Sequence, residues 1–523
     1  MTTHQLQPFY SRLGRFWVGF WQRIPFGFRE FLGNPVAWLL LLLLFGMVTR
    51  PIFDPDLGWH IRAGMDFWKN HWVAYTDPYS WTMPNWKWVD HEWLTDALLA
   101  PWYRLTASIG TSLVYGALVT ATFLIATSLR PTRIASKVLS ALIAGLAGLV
   151  VIGARQQMVT LFGLALLLWI FYRYREGKIR HLWWLPLMFL LWANMHGGFI
   201  AGFLALGVIG VVEIIKTWLY HARQLPLARL SEPVMSWGQI RHCVIVVLLC
   251  VAATFINPYG FDLYRDIYLT LSDKFVLASI LEWQKVTLLS TQGWNFLAYL
   301  ILLAAVLVLT YRRIEPTRWA LMIVFLYLAL EHWRHLPFFM LISIGLMAEL
   351  IDQYAGPLLD YLQRNTLLLV ALVGAIVPIM RDRYHDVITR GLDFEGNFIA
   401  QGMPIQAIDW LKSHPDQIGK RMYNLYGWGG LIIWQFPEQK VFIDGRMPYW
   451  RDSSHWPFYD HQMINMGGSQ APGLLQHYDV DWMLIPADQP LDRTLFSNPD
   501  WQAVYNDDIA VIYTRKDVLT VNR

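Results

Sequence analysis

Charged residues are scarce in this sequence. Only 15% of its 523 residues are Asp, Glu, Lys or Arg, whereas 55% are hydrophobic. Soluble domains carry about 25% charged residues. The deficit is too large for a globular core, and the apolar residues occur in long blocks. The composition therefore indicates a chain that crosses a membrane many times.

Cysteine and net charge are also low. The two cysteines, Cys243 and Cys250, lie two turns apart in one apolar segment, so we expect no disulfide between them. The formal net charge of +4 gives no reason to expect nucleic acid as a partner. Aromatic residues, in contrast, are abundant, with 28 Trp, 28 Phe and 24 Tyr. Such rings are favoured at the headgroup level of a bilayer.

The N-terminal region lacks the small-residue cleavage site of a signal peptide. Residues 1–34 instead interleave aromatic rings and arginines at helical spacing, as Phe16, Trp17 and Phe20 do beside Arg15. This pattern predicts a cytoplasmic amphipathic segment that lies in an anionic membrane surface. A disordered basic tail is the alternative.

Eleven apolar stretches are long enough to cross, or nearly cross, about 30 Å of hydrocarbon. They are 36–52, 111–129, 138–153, 157–173, 182–195, 198–219, 241–256, 294–311, 318–331, 336–351 and 366–380. They predict a transmembrane domain over residues 35–380, with a first outer loop over 53–110. A further apolar piece, 93–107, could span the membrane or lie along it, and we treat it as interfacial.

Basic residues determine the orientation. With the N-terminus in the cytoplasm and 93–107 left uncounted, every strongly basic loop falls inside. These loops contain Arg130, Arg133, Lys137, Arg173, Arg175, Lys178, Arg180, Arg223, Arg229, Arg241, Arg312, Arg313 and Arg318. The sequence thus predicts a multi-pass protein of the cell (inner or plasma) membrane whose final segment is extracytoplasmic.

The final segment, residues 381–523, is polar and rich in Asp, Asn, Gly and Pro. Its strand-like runs are Leu431–Trp434, Val441–Asp444, Trp482–Ile485 and Ala510–Thr514, preceded by a helix-like stretch, Pro404–Ser413. This pattern predicts a small soluble α/β domain outside the cytoplasm.

Polar residues from distant stretches of the chain all fall on the predicted outer side. Ionisable residues at a membrane boundary are costly unless they serve each other or a ligand. The candidate substrate-binding residues are Trp59, His60, Arg62, His91, Arg155, His196, Glu282, His332, Arg334 and His335. Their convergence at one depth is what an active site at a membrane surface requires.

The first outer loop carries the strongest signal. Asp54 and Asp56 follow directly on the first span, and Glu92 returns to the membrane boundary at the other end of the loop. Carboxylates held in this way can act as a base or hold a divalent cation, Mg²⁺ or Mn²⁺. The plainer alternative is that Asp54 and Asp56 end a helix and solvate a loop. The histidines, tryptophans and acids that flank them favour the catalytic interpretation.

These residues resemble a known family. The run Asp-x-Asp-x-x-Trp-His-x-Arg-x-Gly at 54–64 and the later Trp-x-x-His-Glu-Trp-Leu at 88–94 are similar to the first-loop signature of bacterial membrane glycosyltransferases of the GT-C fold. Further matches to that group are Trp192–Gly198, Asn257–Gly260, Glu282-Trp283, Trp428–Gly430 and Asp444–Arg446. The resemblance covers most of the chain.

The resemblance implies an enzyme that takes a sugar from a polyprenyl-phosphate carrier. The acceptor would be a glycan, a lipid or a protein outside the cytoplasm, and a first-loop carboxylate would act as base or metal ligand. The residues suit this chemistry, which needs a proton acceptor for the nucleophile and cations near the departing phosphate. We expect Asp54 or Asp56 to be the base and Glu92 to orient the acceptor or a metal. Inversion by single displacement is the default outcome.

The candidates for the phosphate are Arg155, His196, His332, Arg334 and His335. Plainer roles stay open for several of them. His196 can cap a helix, and Arg155 and Arg334 can anchor helix ends at the headgroups. No histidine spacing is diagnostic of a transition metal.

Three other classes of protein compete with a glycosyltransferase, one of them a non-catalytic assembly protein that acts through the C-terminal segment. A glycolipid transporter or flippase concentrates charge near the bilayer midplane, whereas these spans are almost free of charge except at their ends. A glycan polymerase or ligase shares the substrates but usually keeps its large loop late in the chain. Essential residues in the first loop would distinguish the glycosyltransferase from that rival.

Overall fold

The structure is a computed structural model that describes residues 33–129, 131–222, 234–310 and 314–521. The predicted amphipathic segment 1–34 therefore lies outside the described residues, except for its last two positions.

The membrane part of the chain is helical. Its helices are α1 Pro35–Val48, α2 Leu57–Asn70, α3 Trp93–Thr127, α4 Ile134–Ala147, α5 Gln157–Arg175, α6 Leu185–Met195, α7 Phe199–His221, α8 Trp237–Thr254, α9 Asp262–Ser272, α10 Lys274–Ser279, α11 Trp294–Thr310, α12 Pro316–Glu331, α13 Leu336–Leu350, α14 Gly356–Arg364 and α15 Thr366–Leu392. The expected domain boundary at 380 falls inside α15.

Five helical stretches among the described residues are long and apolar enough to cross a membrane. They are α3, α5, α7, α8 and the run Trp333–Arg364, which contains α13 and α14. Four shorter apolar helices, α1, α4, α6 and α11, accompany them. The chain is thus a polytopic helical membrane protein, as its composition predicts, while the number of eleven spans stays a prediction.

Local sequence explains where the first helices begin and break. α1 starts at Pro35, a residue favoured in the first helical position, and the Asn34 side chain accepts a hydrogen bond from the Ala37 N–H at 2.9 Å. α3 is interrupted at Ala107, whose φ of 50° is not helical. The apolar piece 93–107 is therefore a helical segment distinct from the one that follows it.

A buried cluster of charges joins three helices. Arg175 at the end of α5 lies 3.0 Å from Glu213 of α7, and Lys216 lies 2.9 Å from Glu213 and 2.8 Å from Glu315, just before α12. Arg175 also contacts Glu315. Because all four side chains are almost fully buried, each charge depends on the others for compensation.

The C-terminal part contains a four-stranded mixed sheet. Its elements are α16 Phe394–Ile399, α17 Ile405–Ser413, β1 Met422–Asn424, α18 Gly429–Gln435, α19 Pro457–Asn465, α20 Ala471–His477, β2 Trp482–Pro486, α21 Pro490–Phe496, β3 Trp501–Asn506, β4 Ala510–Arg515 and α22 Lys516–Val521. The strand order is β1-β2-β4-β3, with β1 parallel to β2 and the other pairs antiparallel. Buried residues of β2 and β4 form the centre of this sheet.

The predicted strands are only partly correct. β2, β4 and α17 confirm Trp482–Ile485, Ala510–Thr514 and the helix in Pro404–Ser413. The prediction of a strand at Leu431–Trp434 is wrong, because this run lies in α18. A short apolar run is compatible with a buried helix as well as with a strand. Val441–Asp444 is also not a strand and has only an isolated bridge at Val441.

The first outer loop and the C-terminal sheet domain are packed together. Val441 and the segment 79–81 exchange two backbone hydrogen bonds, of 3.0 and 3.1 Å. Nearby, the start of α2 meets the start of α18. A Cβ on Gly58 would stand 2.3 Å from the Gly430 oxygen, and one on Gly430 would stand 2.4 Å from the Pro55 oxygen. Two glycines therefore allow the backbones to touch.

Removing one partner of the buried charge cluster should destabilise the protein. Glu213→Ala leaves Arg175 and Lys216 with one carboxylate fewer, and loss of a buried partner costs about 3–5 kcal/mol. We expect a clear fall in the thermal unfolding temperature of the detergent-solubilised protein. Glu176→Ala, which removes an exposed partner of Arg173, is the matched control and should cost less than about 1 kcal/mol. Unchanged unfolding of Glu213→Ala would contradict this account.

Candidate functional site

Arg155 connects two loops at the C-terminal end of α1. Its Nε donates to Asp54 Oδ2 at 2.6 Å, and its Nη1 contacts Glu282. Burial lowers the pKa of Arg155, but the charges of Asp54 and Glu282 outweigh that effect and raise it. Three predicted site residues are thus in contact. Asp54, which is only 8% exposed, is neutralised by the guanidinium.

Asp56 is a carboxylate that is not paired with a cation among the described residues, although the charge of Arg155 acts to lower its pKa. It stands at the N-terminus of α2, partly buried, and forms no ion pair among the described residues. Its backbone N–H donates to Asp54 Oδ1 at 3.0 Å, and a Cβ on Gly445 would lie 2.0 Å from its Oδ1. Burial raises the pKa of Asp56, and the nearby charges of Asp54 and Asp444 raise it further. Asp56 therefore accepts a proton more readily than an ordinary aspartate.

A buried ion triad fixes Asp444 beside Asp56. Arg446 binds both carboxylate oxygens of Asp444 at 2.7 Å and donates to Asp77 of the first loop at 2.9 Å. The guanidinium also lies 4.8 Å from the ring centre of Tyr79 and 4.7 Å from that of Trp88. The motif Asp444–Arg446 therefore lies against the first loop beside Asp56.

Glu92 is surrounded by three imidazoles. Its Oε2 lies 3.3 Å from His60 Nε2, and its Oε1 lies 3.2 Å from His196 Nε2 and 3.8 Å from His91 Nε2. The carboxylate is buried. Its contacts with ring nitrogens from three segments fix its position between them.

Hydrogen bonding defines the tautomer of His196. Its Nδ1 accepts from the Gly198 N–H at 2.8 Å and lies 2.8 Å from the Thr160 hydroxyl, which itself accepts from Trp192 Nε1. The Thr160 hydroxyl is then the donor to Nδ1, so we assign the ring proton to Nε2. Burial lowers the pKa of His196, and the neutral ring donates to Glu92.

The network continues from His60 into α3. His60 Nδ1 lies 2.8 Å from Asp96 Oδ1, which accepts from Gln156 Nε2 at 3.3 Å, and Tyr115 donates to Gln156. Burial lowers the pKa of His60 against the opposing charge of Glu92. A chain of polar contacts therefore runs from Tyr115 to Glu92 beneath the first loop.

Arg334 is a cation held by stacking. Its guanidinium lies 4.2 Å from the ring centre of Trp283, and Gln157 donates to its backbone oxygen at 2.7 Å. His332 and His335 pack edge-on against the same indole. Arg334 has no carboxylate at ion-pair distance among the described residues, so it is available to an anion. The two histidines support Trp283 instead of forming ion pairs.

Not all predicted residues join these contacts. Arg62 pairs with Asp66 on its own helix at 3.0 Å, and Asp66 also accepts from Tyr79. Trp59 stacks on His60, with ring centres 3.5 Å apart.

A cavity lies beside the site, between the first loop, α9–α10 and the C-terminal domain. Its lining includes Trp59, Trp88, His91, Trp283, Arg446 and Tyr449. Asp54 and Asp56 do not line it. Trp59, His91 and Trp283 therefore share one cavity, and the acids at the start of α2 stand apart from it.

Oxygen ligands suit the divalent cation predicted for Asp54 and Asp56. Asp56, with Asp54 and Asp444 nearby, offers such oxygens and has no ion-pair partner among the described residues. Within the described ranges, no group of three or more His, Cys, Asp or Glu side chains is arranged as a metal site. The cation stays a prediction.

Sequence reasoning missed several residues of the site. Asp96 follows Glu92 by four positions, and that spacing places two helical side chains on one face. Thr160 lies in the first turn of α5, shortly after Arg155 and Gln156. Nothing in its local sequence indicates that it contacts His196. Asp266 lies 3.6 Å from His91 and accepts from Tyr449, a contact that only the tertiary fold reveals.

The helices, the polar outer loops and the terminal sheet domain together have the GT-C fold of membrane glycosyltransferases. No family model matches the sequence, and no curated protein matches it.

Solved structures show the same architecture. The oligosaccharyltransferase of Archaeoglobus fulgidus, solved with a tethered acceptor peptide, matches with a TM-score of 0.53 at 11% identity, over 88% of this chain and 69% of that one. ArnT from Cupriavidus metallidurans, bound to undecaprenyl phosphate, gives a TM-score of 0.48 at 11% identity over 92% and 97% of the two chains. The mycobacterial arabinofuranosyltransferase AftD gives 0.46 at 12% identity over 92% and 39%. At these identities the similarity establishes the fold alone, and the two lower TM-scores support no inference.

His91 should make stability depend on pH. Burial lowers its pKa, but the neighbouring carboxylates of Asp266 and Glu92 outweigh burial and raise the pKa to about 9. An unfolded histidine has a pKa near 6.5, so the folded state holds this proton more tightly. The stabilisation is complete below about pH 6.5 and is lost as the pH rises through about 9.

We therefore expect the unfolding temperature to fall between about pH 6.5 and 9, and His91→Gln to flatten that decline. His385→Gln, at an exposed position of α15, is the control and should leave the profile unchanged. A profile of His91→Gln that parallels the wild type would show that another group titrates.

Proposed function

We propose that this protein is a glycosyltransferase that moves a sugar from a polyprenyl-phosphate donor to an acceptor outside the cytoplasm. The observation that carries the proposal is Asp56. It is a first-loop carboxylate that has a raised pKa, lacks an ion pair among the described residues, and stands at the contact between the loop and the C-terminal domain.

Asp56 acts as the general base. It removes the proton from the acceptor nucleophile as that atom bonds to the anomeric carbon, while the bond between that carbon and the phosphate oxygen breaks. A raised pKa suits this role, because a base is most effective when its pKa is near the working pH. Asp54 is less suited, because Arg155 occupies its Oδ2.

Arg334 and Arg155 stand where negative charge can be stabilised. Donors fixed before the reaction lower the barrier most when charge develops near them. Arg334 has no carboxylate partner among the described residues and is oriented by Trp283, so it faces the departing phosphate in our proposal. Glu92 orients the acceptor through the histidine cluster around it. Inversion at the anomeric carbon follows from a single displacement.

The proposed topology places the N-terminus in the cytoplasm and the C-terminal domain outside, in the cell membrane. Basic loops support this arrangement. The polyprenyl-phosphate donor would enter from the bilayer, and the acceptor, a glycan, lipid or protein, from the side of the C-terminal domain.

Asp56→Asn should reduce transfer by about a hundredfold or more, since general-base catalysis contributes about 10²–10⁴-fold. The measurement is the release of undecaprenyl phosphate from a panel of undecaprenyl-phosphate sugars by membranes that contain the protein. Asp262→Asn is the matched control, because it alters a partly exposed outer acid that pairs with Lys87. The unfolding temperatures of both variants should equal that of the wild type. Full activity of Asp56→Asn would refute the assignment.

A divalent cation near Asp56 would make transfer sensitive to chelators. A bound Mg²⁺ or Mn²⁺ stabilises negative charge on phosphate oxygens. We expect EDTA to reduce sugar transfer and added Mn²⁺ or Mg²⁺ to restore it. Activity that does not change with EDTA would show that transfer needs no divalent cation. The assignment of Asp56 as base would be unaffected.

A further inference from the structure

A second pocket lies on the C-terminal domain, at its contact with the first loop. We call it the lateral pocket. It is lined by Trp81 and Thr82 of the loop, by residues 419–421 and 438–440, and by His455, His477 and Tyr478. None of these residues belongs to the apolar helices, and none takes part in the contacts around Asp56 or Glu92.

The lateral pocket is basic within an acidic domain. Lys420, Arg421 and Lys440 line it, whereas Glu438 is its only carboxylate-bearing lining residue. Residues 381–523 as a whole contain 18 Asp and Glu against 13 Lys and Arg. The concentration of positive charge is therefore a local feature of this pocket and does not follow from the composition of the domain.

Two of these cations have no ion-pair partner. Arg421 pairs with Asp479 at 2.9 Å. Lys420 and Lys440 are exposed and have no carboxylate at ion-pair distance among the described residues. Gln439 lies between them, and its Nε2 donates to the backbone oxygens of Lys420 at 3.0 Å and of Lys440 at 2.9 Å. The side-chain amide thereby holds the two backbone segments that carry the lysines.

An aromatic wall faces these cations. The Trp81 indole is fixed by a hydrogen bond from its Nε1 to the Met422 oxygen at 2.9 Å, and it meets Tyr478 edge-on. Tyr478 also contacts the ring of His455. A fixed indole beside exposed cations is suited to a sugar ring that carries an acidic group, because the ring face packs on the indole and the lysines compensate the charge.

The pocket is connected to the catalytic acids by a short piece of chain. The Thr82 hydroxyl donates to the Phe442 oxygen at 2.7 Å. Two residues later, Asp444 stands beside Asp56. One segment of chain therefore contributes to both sites.

We propose that the lateral pocket binds an anionic segment of the acceptor glycan, a stretch of sugars that carry carboxylate or phosphate groups. This inference rests on the proposed function and specifies the chemistry of the acceptor. An anionic membrane surface is the less suitable occupant, because the pocket is built from sheet-domain loops and lacks residues of the apolar helices.

The test is direct binding to the full-length protein in detergent, measured by isothermal titration calorimetry. The probes are a short oligogalacturonate and a neutral maltooligosaccharide of equal length. We expect binding of the charged probe only, and Lys420→Ala/Lys440→Ala should weaken it about tenfold or more, because two charge-assisted contacts are lost. Lys420→Arg/Lys440→Arg should retain binding. Lys412→Ala/Lys516→Ala, which alters two lysines outside the lateral pocket, is the matched control.

Asp56→Asn should bind the oligogalacturonate as the wild type does, which separates this inference from the catalytic one. Equal binding by Lys420→Ala/Lys440→Ala and the wild type would overturn the lateral pocket as a glycan site, whether or not Asp56→Asn transfers sugar. Equal affinity for the neutral probe would also overturn it. If Lys420→Ala/Lys440→Ala lost binding to phosphatidylglycerol vesicles but bound oligogalacturonate as the wild type does, the lateral pocket would be a membrane contact instead.

Discussion

The site depends on the contact between two backbones, at the start of α2 and the start of α18. Only glycine permits it, because a side-chain carbon at Gly58 or Gly430 would overlap a carbonyl oxygen of the other segment. The contact brings Asp444 and Gly445 against Asp56 and so creates the cluster of acids. Without it, Asp56 would be an ordinary acid at the end of a helix, the plainer alternative that the sequence leaves open. The glycines of the Trp428–Gly430 motif thus contribute to the site because they let the starts of α2 and α18 approach closely.

The charges of the site fall into two groups. Asp54 is compensated by Arg155, and Glu92 lies among three imidazoles, of which His91 has a raised pKa. Asp56 and Arg334 have no partner of opposite charge within the described part of the chain. Ion pairing lowers the tendency of an acid to bind protons and of a cation to bind other anions. Compensated groups therefore serve mainly to hold the site together, and the uncompensated ones are those that can react or bind.

The sequence predicts the class of fold well, because long apolar blocks and scarce charge have few structural solutions. It also predicts that Asp54, Arg155 and Glu282 lie at one depth, and in the structure Arg155 contacts both acids. It does not reveal that Asp444 joins them, because the contact links residues almost four hundred positions apart and Asp-Gly-Arg is common in turns. The strand error at Leu431–Trp434 has a similar origin. Burial on all sides removes the periodicity that distinguishes a helix from a strand.

The break at Ala107 has a consequence for how this protein can vary. A helix turns by about 100° per residue, so a residue inserted in an unbroken α3 would rotate everything on one side of it relative to the other. The non-helical residue ends that rigid coupling. An insertion or deletion in the part of α3 that follows Ala107 can be absorbed at Ala107. Asp96 then keeps its orientation toward His60. The lipid-facing length of the chain can thus adapt to bilayers of different thickness while His60 and Asp96 stay in contact.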